Sequence, residues 1–385
     1  MNFIDFFEPV SLEKPDYFEH LVNKHSFSRY IDINTPDFVI SNIENYNIAL
    51  IGIPEERGCY IKSTLPSPDI IRSNLYLLSG FSNKEVKIID LGNLKLGSEL
   101  KDTYYGLREV LIELLSKNVF PIIIGGTQDL TYGIYLAFEY LKKSYTLTTL
   151  DNRIDISFEN VEEINFLNYL NTIILENKYM FEYINLASQA CYSKNDVFDL
   201  LDNLFYEIVR LGLLRNNIVY AEPFLRDSDI VSIDISSIKY SEAPGQITVS
   251  PNGLTAEEIC QISRYIGLSD KTKVMGLFNL NADRDANQVT ANLIAQIIWY
   301  FIDGYIHRLK EDPLVNTNNF TKYIIPLNDD HKVCFYKSHI SDRWWIEVPS
   351  DDKKNIILSC SEKEYKMMLN NEIPDRWIKI FKKLN

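Results

Sequence analysis

The feature that most constrains the fold is the alternation of short β-branched runs with amphipathic helical patterns through the middle of the chain. The run Phe120–Ile124 is apolar at every position. A strand of this kind is buried on both faces, as in a parallel sheet covered by helices. The sequence therefore predicts an α/β protein, with strands at 48–53, 86–91, 119–125, 145–151, 181–187, 218–221, 230–235 and 273–280.

Helical spacing of apolar residues fills the gaps between these runs. Leu107, Leu111 and Leu114 share one face of a predicted helix. Thr255 followed by Glu258 has the spacing of a capping box, which marks a helix start. The sequence predicts helices at 69–79, 103–117, 255–266 and 290–310.

The pattern changes after residue 311, where three of the four tryptophans occur. Alternation at 332–337 and 344–348, followed by helical patterns at 361–370 and 375–384, predicts a small α+β extension. We therefore divide the chain into an N-terminal segment (1–44), a main α/β domain (45–311) and a C-terminal extension (312–385). Trp344, Trp345 and Trp377 are interpreted either as the packing core of the extension or as a partner-binding site, since tryptophan is a frequent interface anchor.

Composition excludes several classes of function. The 385 residues include 39 Lys and Arg against 53 Asp and Glu, a net charge of −14, which repels nucleic acid and anionic lipid. No apolar run reaches the ~20 residues of a membrane span. Five cysteines lie far apart without a CxxC motif, which indicates reduced thiols in a cytoplasmic protein. We expect no nucleic-acid partner and no membrane insertion.

Histidine is scarce, with five in the chain and none between residues 26 and 306. The central domain by itself therefore cannot supply a histidine-based catalytic triad or a histidine-ligated metal site. Its chemistry must depend on other side chains.

Polar residues follow the predicted strands where ligands bind in parallel α/β sheets, at the carboxyl ends. Gln128 follows one strand, Asp151 and Asp155 follow another with Arg153 between them, and Asp234 ends a third. Three carboxylates at one sheet edge repel each other unless a cation lies among them. That cation is either a metal ion or Arg153.

These motifs resemble those of the arginase/agmatinase/formimidoylglutamase (ureohydrolase) family, and most closely its formimidoylglutamase-like branch. The resemblance covers about residues 45–310. It implies a three-layer α/β/α domain with an eight-stranded parallel sheet, here followed by the small C-terminal extension. The residues that carry it are Gly52-Ile53-Pro54 with Gly58, Ile71-Arg72, Asp90-Leu91-Gly92, Gly125-Gly126, Asp151 to Asp155, Ser232-Ile233-Asp234, Ala243-Pro244-Gly245, Asp283-Arg284-Asp285 and Thr290-Ala291.

The resemblance also implies a catalytic centre of two manganese ions bridged by hydroxide, held by six ligands. Three of those ligand positions keep their aspartates, at Asp151, Asp155 and Asp234. The family chemistry is hydrolysis at a guanidino or formimino carbon.

The other positions that the resemblance assigns are substituted. Gln128 and Arg153 stand where the family has histidines, Ser236 replaces an aspartate, and Leu277 is taken as the position of the substrate-binding glutamate. Three aspartates and one arginine carry a net charge of −2, enough to balance one divalent ion. Arginine stays protonated and cannot be a ligand, so we expect Arg153 to fill the metal space. The expectation is no metal cofactor, or at most one divalent cation bound by hard oxygens, with no catalytic and no substrate-binding residues retained.

Two functions follow from this interpretation. The first is a catalytically inactive arginase/formimidoylglutamase-like protein that acts as a scaffold or protein-binding subunit. The alternative is a remodelled metal-dependent C–N hydrolase that uses at most one divalent ion. The resemblance also implies a homo-oligomer, and a protein partner fits the first function.

Overall fold

The computed structural model describes residues 3–11, 22–37, 42–81, 85–159, 163–327, 332–350 and 355–385. The strands are β1 (Phe7–Glu8), β2 (Asp32–Ile33), β3 (Ile48–Gly52), β4 (Ile88–Leu94), β5 (Phe120–Ile124), β6 (Tyr145–Leu150), β7 (Met180–Ser188), β8 (Glu207–Arg210), β9 (Ile230–Asp234), β10 (Val274–Phe278), β11 (Phe320–Pro326), β12 (Lys332–Ser338), β13 (Trp344–Val348) and β14 (Ile356–Cys360). The helices are α1 (Ser67–Leu77), α2 (Leu100–Ser116), α3 (Leu130–Leu141), α4 (Tyr169–Glu176), α5 (Asn195–Asn203), α6 (Leu211–Asn216), α7 (Glu222–Arg226), α8 (Ala256–Leu268), α9 (Val289–Ile306), α10 (Glu362–Leu369) and α11 (Asp375–Leu384).

The main sheet contains eight parallel strands in the order β4-β3-β5-β10-β9-β6-β7-β8. Two short strands from the N-terminal segment extend its edge, since β1 pairs antiparallel and β2 parallel with β4. The predicted α/β class with an eight-stranded parallel sheet is confirmed. The N-terminal segment is therefore part of this sheet, because its strands β1 and β2 both pair with β4.

One predicted strand is wrong. Residues Ile218–Ala221 form a 3₁₀ helix, in which the side chain of Asn217 accepts a hydrogen bond from the Val219 amide. Local capping therefore outweighs the β-branched composition of this run. The eighth parallel strand is instead β8, whose mixed sequence Glu-Ile-Val-Arg carries little strand signal.

Helices cover both faces of the sheet because its strands are apolar on both sides. On β3, Leu50 packs with α1, α8 and α9, whereas the next residue, Ile51, packs with α2, α3 and α4. Successive side chains of a strand point to opposite faces, so each face has its own apolar cluster. The result is a three-layer α/β/α domain.

Helix α9 packs closely on α8. A Cβ atom on Gly304 would lie 2.3 Å from the Arg264 carbonyl oxygen, and one on Gly267 would lie 2.1 Å from that of Phe301. Ser263 Oγ also donates to the Ile297 carbonyl at 2.6 Å. Among the described residues, the one segment long and apolar enough to cross a membrane is Ala286–Ile306, and 56% of its apolar 18-residue window is buried inside the protein. It is therefore built as a core helix.

The C-terminal extension is a four-stranded antiparallel sheet, in the order β11-β12-β13-β14, with helices α10 and α11. Its three tryptophans are buried: Trp344 and Trp377 lie in the apolar core of the extension, and Trp345 packs with Phe320 and Tyr336. The structure therefore gives Trp344, Trp345 and Trp377 a packing role. The interpretation of these rings as a surface for a partner needs correction, because their area is already covered within the chain.

Buried ion pairs join the extension to the main domain. Arg376 on α11 contacts Glu182 on β7 at 2.9 Å and Asp227 at 3.0 Å. Asp227 also accepts a hydrogen bond from Ser359 Oγ at 2.7 Å. Arg226 donates to the Trp344 carbonyl at 3.0 Å. The junction between the extension and the main domain is thus polar and shielded from water. Loss of one charged partner there leaves the other charge buried and unpaired.

Replacing Arg376 tests this junction. We expect Arg376→Met to lower the free energy of unfolding by about 3–5 kcal/mol, because Glu182 and Asp227 would remain buried without a cation. Urea unfolding measures the change. The control is Lys366→Met, which breaks the exposed pair with Glu362 and should cost less than ~1 kcal/mol. Equal stability of the two variants would contradict this account.

Glu207 on β8 makes the same junction sensitive to pH. Burial raises the pKa of Glu207 from 4.5 to about 7. Because the pKa of Glu207 is higher in the folded than in the unfolded protein, the buried neutral carboxyl group contributes its full stability below pH ~4.5. This stability is lost as the pH rises through 7, where the buried group must ionise. Glu207→Gln should therefore be more stable than wild type at pH 8, by up to about 3 kcal/mol at 1.36 kcal/mol per pKa unit, and not at pH 4.

The matched control is Asp202→Asn. Asp202 contacts the same partner, Lys379, but is largely exposed. Chemical unfolding at a series of pH values gives the comparison. A stability difference between Glu207→Gln and wild type that does not change with pH would show that the Glu207 carboxyl group does not titrate as described.

Candidate metal centre

The candidate site lies where four adjacent strands end. Strands β5, β10, β9 and β6 are neighbours in the sheet and parallel, so their carboxyl ends meet at one edge. Gln128 follows β5, Asp151 follows β6, Asp234 ends β9 and Asn279 follows β10. The structure therefore brings together residues that are up to about 150 positions apart in sequence.

Two glycines place Gln128. Gly125 and Gly126 have φ values of +82° and +73°, a left-handed conformation that suits glycine. A Cβ atom on Gly126 would lie 2.9 Å from the carbonyl oxygens of Ile53 and Glu55. The chain turns sharply here from β5 toward α3, which points the Gln128 side chain back to the sheet edge.

The three aspartates of the site are each only 1% exposed. Asp234 Oδ1 accepts a hydrogen bond from the Ser236 amide at 2.6 Å, and Asp234 Oδ2 accepts one from Asn279 Nδ2 at 2.7 Å. Asp151 Oδ1 accepts from the Arg153 amide at 3.0 Å and from Ser236 Oγ at 3.4 Å. These donors orient the carboxylates but supply no full charge.

The pKa values of all three carboxyl groups are raised. For Asp151 the cause is burial, followed by the charges of Asp155 and Asp234. Burial also raises the pKa of Asp155, while the positive charge of Arg153 opposes the shift. The pKa of Asp234 is raised to about 6, again chiefly by burial. Burial is thus the largest cause of all three shifts, and the positive charge of Arg153 opposes each of them.

Arg153 pairs with one of the three carboxylates. Its Nε atom donates to Asp155 Oδ1 at 2.9 Å through a single contact. Its side chain is 23% exposed, so one side of it borders solvent. The guanidinium therefore lies at the rim of the site beside Asp155.

The side chain between Asp151 and Asp234 is that of Gln128, which is fully buried. Its amide nitrogen donates to Asp151 Oδ2 and Asp234 Oδ2, at 3.2 Å each, and its amide oxygen accepts a hydrogen bond from the Tyr169 hydroxyl at 3.2 Å.

Strand β10 brings Asn279, the residue directly after it, to the site. Leu277 lies inside the strand and does not reach the site. Leu277 is buried in the apolar cluster beneath α8 and α9, so its assignment as the substrate-binding position is wrong. Asn279 has a φ of +68°, which asparagine tolerates better than most residues. The available sequence signal for Asn279 was an asparagine directly after a buried strand. Tyr169, whose hydroxyl lies beside Gln128, was indicated by no sequence pattern.

Asp151, Asp155 and Asp234 offer hard oxygen atoms at the site. In the part of the chain that the structure describes, no three His, Cys, Asp or Glu side chains form a metal-binding group. Two carboxylate oxygens, from Asp151 and Asp234, nevertheless converge with the amide of Gln128. Carboxylate and amide oxygens suit Mg²⁺, Ca²⁺ and Mn²⁺. Asp155 is adjacent and is held by Arg153.

Comparison with known proteins defines the class as a ureohydrolase-like α/β/α protein. The family model "Arginase family" matches residues 46–168 and 205–303. The chain belongs to the arginase family. The match ends before the C-terminal extension.

Individual relatives point to one branch of this family. The chain is 23% identical over 301 residues to the formimidoylglutamase of Streptococcus gordonii, covering 70% of this chain and 88% of the relative. The structure of Trypanosoma cruzi formiminoglutamase with Mn²⁺₂ is similar with a TM-score of 0.65 and 19% identity, over 70% of this chain and 97% of the other. Formimidoylglutamase from Bacillus subtilis has a TM-score of 0.63 and 17% identity, over 72% and 97%.

These relatives correct the expectation about the cofactor. The sequence interpretation was that the protein has no metal cofactor, or at most one divalent cation. The comparisons contradict it, because the T. cruzi formiminoglutamase structures contain Mn²⁺₂, which indicates a dinuclear manganese cofactor in this family.

Arg153 can be tested as the internal counter-ion of the site. Arg153→Met should lower the free energy of unfolding of metal-free protein by roughly 2–4 kcal/mol, because the buried Asp155 loses the positive charge that contacts it directly. Added Mn²⁺ should then raise the melting temperature more in this variant than in wild type. Differential scanning calorimetry gives both values. Arg153→Lys keeps the charge and is the control; if Met and Lys variants behave alike, Arg153 does not act through its charge.

Proposed function

We propose that this protein is a metal-dependent hydrolase of C–N bonds in linear amidines, of the formimidoylglutamase type. The single observation that carries the proposal is the convergence of three buried carboxylates and the Gln128 amide at the carboxyl edge of the sheet. Membership of the arginase family and similarity to formimidoylglutamases support it.

Asp151, Asp155 and Asp234 would hold the metal. When bound, a divalent ion lowers the pKa of a coordinated water molecule and so supplies a nucleophile at neutral pH. The chain provides the rest: Ser236 and Asn279 fix the direction of the Asp234 oxygens. Burial of the carboxylates excludes bulk water and strengthens their attraction for the ion.

The charge at the rim favours an anionic amidine. Arg153 is the partly exposed side chain of the site, and its guanidinium attracts a carboxylate-bearing substrate and repels a cationic one such as arginine or agmatine. A formimidoyl amino acid fits this distribution better than a guanidino compound.

A second function has its own supporting observation. No histidine occurs between residues 26 and 306, so the imidazoles that the family motifs use are replaced by Gln128 and Arg153. This favours a non-catalytic scaffold or protein-binding subunit, in a homo-oligomer or with another protein. The C-terminal extension lies outside the family match and is the part most suited to such a role. The five free cysteines agree with a cytoplasmic setting in either case.

Assays with the full-length protein separate the two functions. After incubation with Mn²⁺, we expect formamide release from N-formimidoyl-L-glutamate, and little or no urea from arginine or agmatine. Asp234→Asn should reduce the rate at least ~100-fold, because it removes a ligand charge. Lys366→Met, on the exposed face of α10, is the control and should keep full activity. Metal-loaded protein that releases no product from any of the three amidines would favour the scaffold.

A further inference from the structure

A cavity of about 410 Å³ lies at the junction between the main domain and the C-terminal extension, and this volume is enough for a small molecule. The main domain contributes Arg226 and Lys271, and the extension contributes Trp345 and Ile357. Arg226 and Lys271 precede strands β9 and β10, so the cavity lies at the opposite edge of the sheet from the buried carboxylates. Because the extension lies outside the family match, the family domain alone does not form this cavity.

The charged side chains that line the junction cavity are balanced in number. The cationic ones are Arg226, Lys271, Lys310 and Arg343. The anionic ones are Asp227, Asp270, Glu311 and Asp312. A ligand with a charge of one sign would therefore meet repulsion as well as attraction. A ligand that carries both signs can place each charge against an opposite one.

A chain of ion pairs connects a cation and an anion of this lining. Arg226 Nε lies 3.3 Å from Glu222 Oε1, and the same oxygen lies 3.0 Å from Arg343 Nε. Arg343 Nη1 in turn lies 3.9 Å from Glu311 Oε2. The chain of two guanidinium and two carboxylate groups has no net charge. Its two ends have opposite charges, positive at Arg226 and negative at Glu311.

Both ends of the chain have unused hydrogen-bonding capacity. Arg226 is 7% exposed, and its Nη2 donates to two carbonyl oxygens of the extension. Within the described residues, Arg226 Nη1 has no hydrogen-bond acceptor and Glu311 Oε2 has no hydrogen-bond donor. The Glu311 side chain is only 4% exposed. Buried polar atoms are nearly always paired, so this junction lacks one acceptor and one donor.

The remaining lining of the cavity is apolar. The guanidinium carbon of Arg226 lies 4.3 Å from the ring centroid of Trp345, and this cation–π contact helps to hold the guanidinium in place. Ile357 and Pro313 provide aliphatic surface beside it. A small ligand with two charges and an apolar group can thus find a partner for each of its parts.

We propose that the junction cavity binds a free α-amino acid with an apolar side chain. The carboxylate of the amino acid accepts a hydrogen bond from Arg226 Nη1, and its ammonium group donates one to Glu311 Oε2. Its side chain packs on Ile357 and Pro313. Since both domains contribute to the cavity, a bound amino acid strengthens the attachment of the extension. The proposal does not depend on the proposed function, because it uses no residue of the candidate metal centre.

Three probes of similar size test which charges the cavity recognises. L-Norleucine carries both charges, hexanoate lacks the ammonium group and pentylamine lacks the carboxylate. In isothermal titration calorimetry of the full-length protein, we expect norleucine to bind at one site. Each of the other two should bind at least ~10-fold more weakly, because one buried charge loses its partner. If norleucine does not bind, or if hexanoate binds equally well, the proposal is overturned.

Two substitutions assign the roles of the two ends. Arg226→Met should weaken norleucine binding at least ~10-fold. Glu311→Gln keeps the shape of the side chain but removes its charge. It should also weaken norleucine binding at least ~10-fold and reduce the preference for norleucine over hexanoate to less than ~3-fold. Lys366→Met, on the exposed face of α10, is the control and should leave the affinities unchanged.

The preference between probes separates recognition from a structural role. A purely structural role of Glu311 would lower the melting temperature in Glu311→Gln but leave the preference for norleucine over hexanoate as in wild type, and this result would overturn the proposal. Should Arg226→Met fail to fold, the change of preference in Glu311→Gln still decides. In wild type, norleucine should also raise the melting temperature, because it binds only the folded protein.

Discussion

The burial of three carboxylates at one point of the sheet edge is the constraint on which the site depends. Removing a charged group from water is costly unless a partner replaces the solvent. Here the three carboxyl groups have partners of different charge. A guanidinium contacts Asp155, whereas neutral hydrogen-bond donors contact Asp234 and Asp151. Burial raises the pKa values of all three carboxyl groups, and the positive charge of Arg153 offsets only part of this shift.

The substitutions at the family's ligand positions change the side chains that contact the buried carboxylates. Gln128 brings an amide and Ser236 a hydroxyl where a resemblance to the arginase family implies imidazole and carboxylate. Arg153 stands where the resemblance implies a second imidazole, and it contacts Asp155.

Much of the architecture was predictable because parallel strands buried on both faces leave a strong apolar signal, and because polar residues after such strands must meet. Gln128, Asp151 and Asp234 were found in this way. The limits were local. The run Ile218–Ala221 has the composition of a strand, yet Asn217 caps it into a 3₁₀ helix. Leu277 lies in the apolar core, whereas Asn279, two residues later, lies at the site. Which of the two reaches the site depends on the residue at which β10 ends, and the sequence did not indicate that residue. The partners of Trp344 and Trp345 depended on long-range packing that no local pattern encodes.

The position of the C-terminal extension has a further consequence for the main sheet. Strand β8 is the last of the eight parallel strands, and Lys379 of α11 donates to the carbonyl of Tyr206, directly before it. An uncovered strand at this end would offer unpaired backbone groups to any passing extended peptide, including another copy of itself. Helix α11 thus lies beside the start of this border, along which the protein could otherwise pair with extended chains. A chain shortened before β11 would lose this neighbour, even if the buried carboxylates at the ends of the strands kept their arrangement.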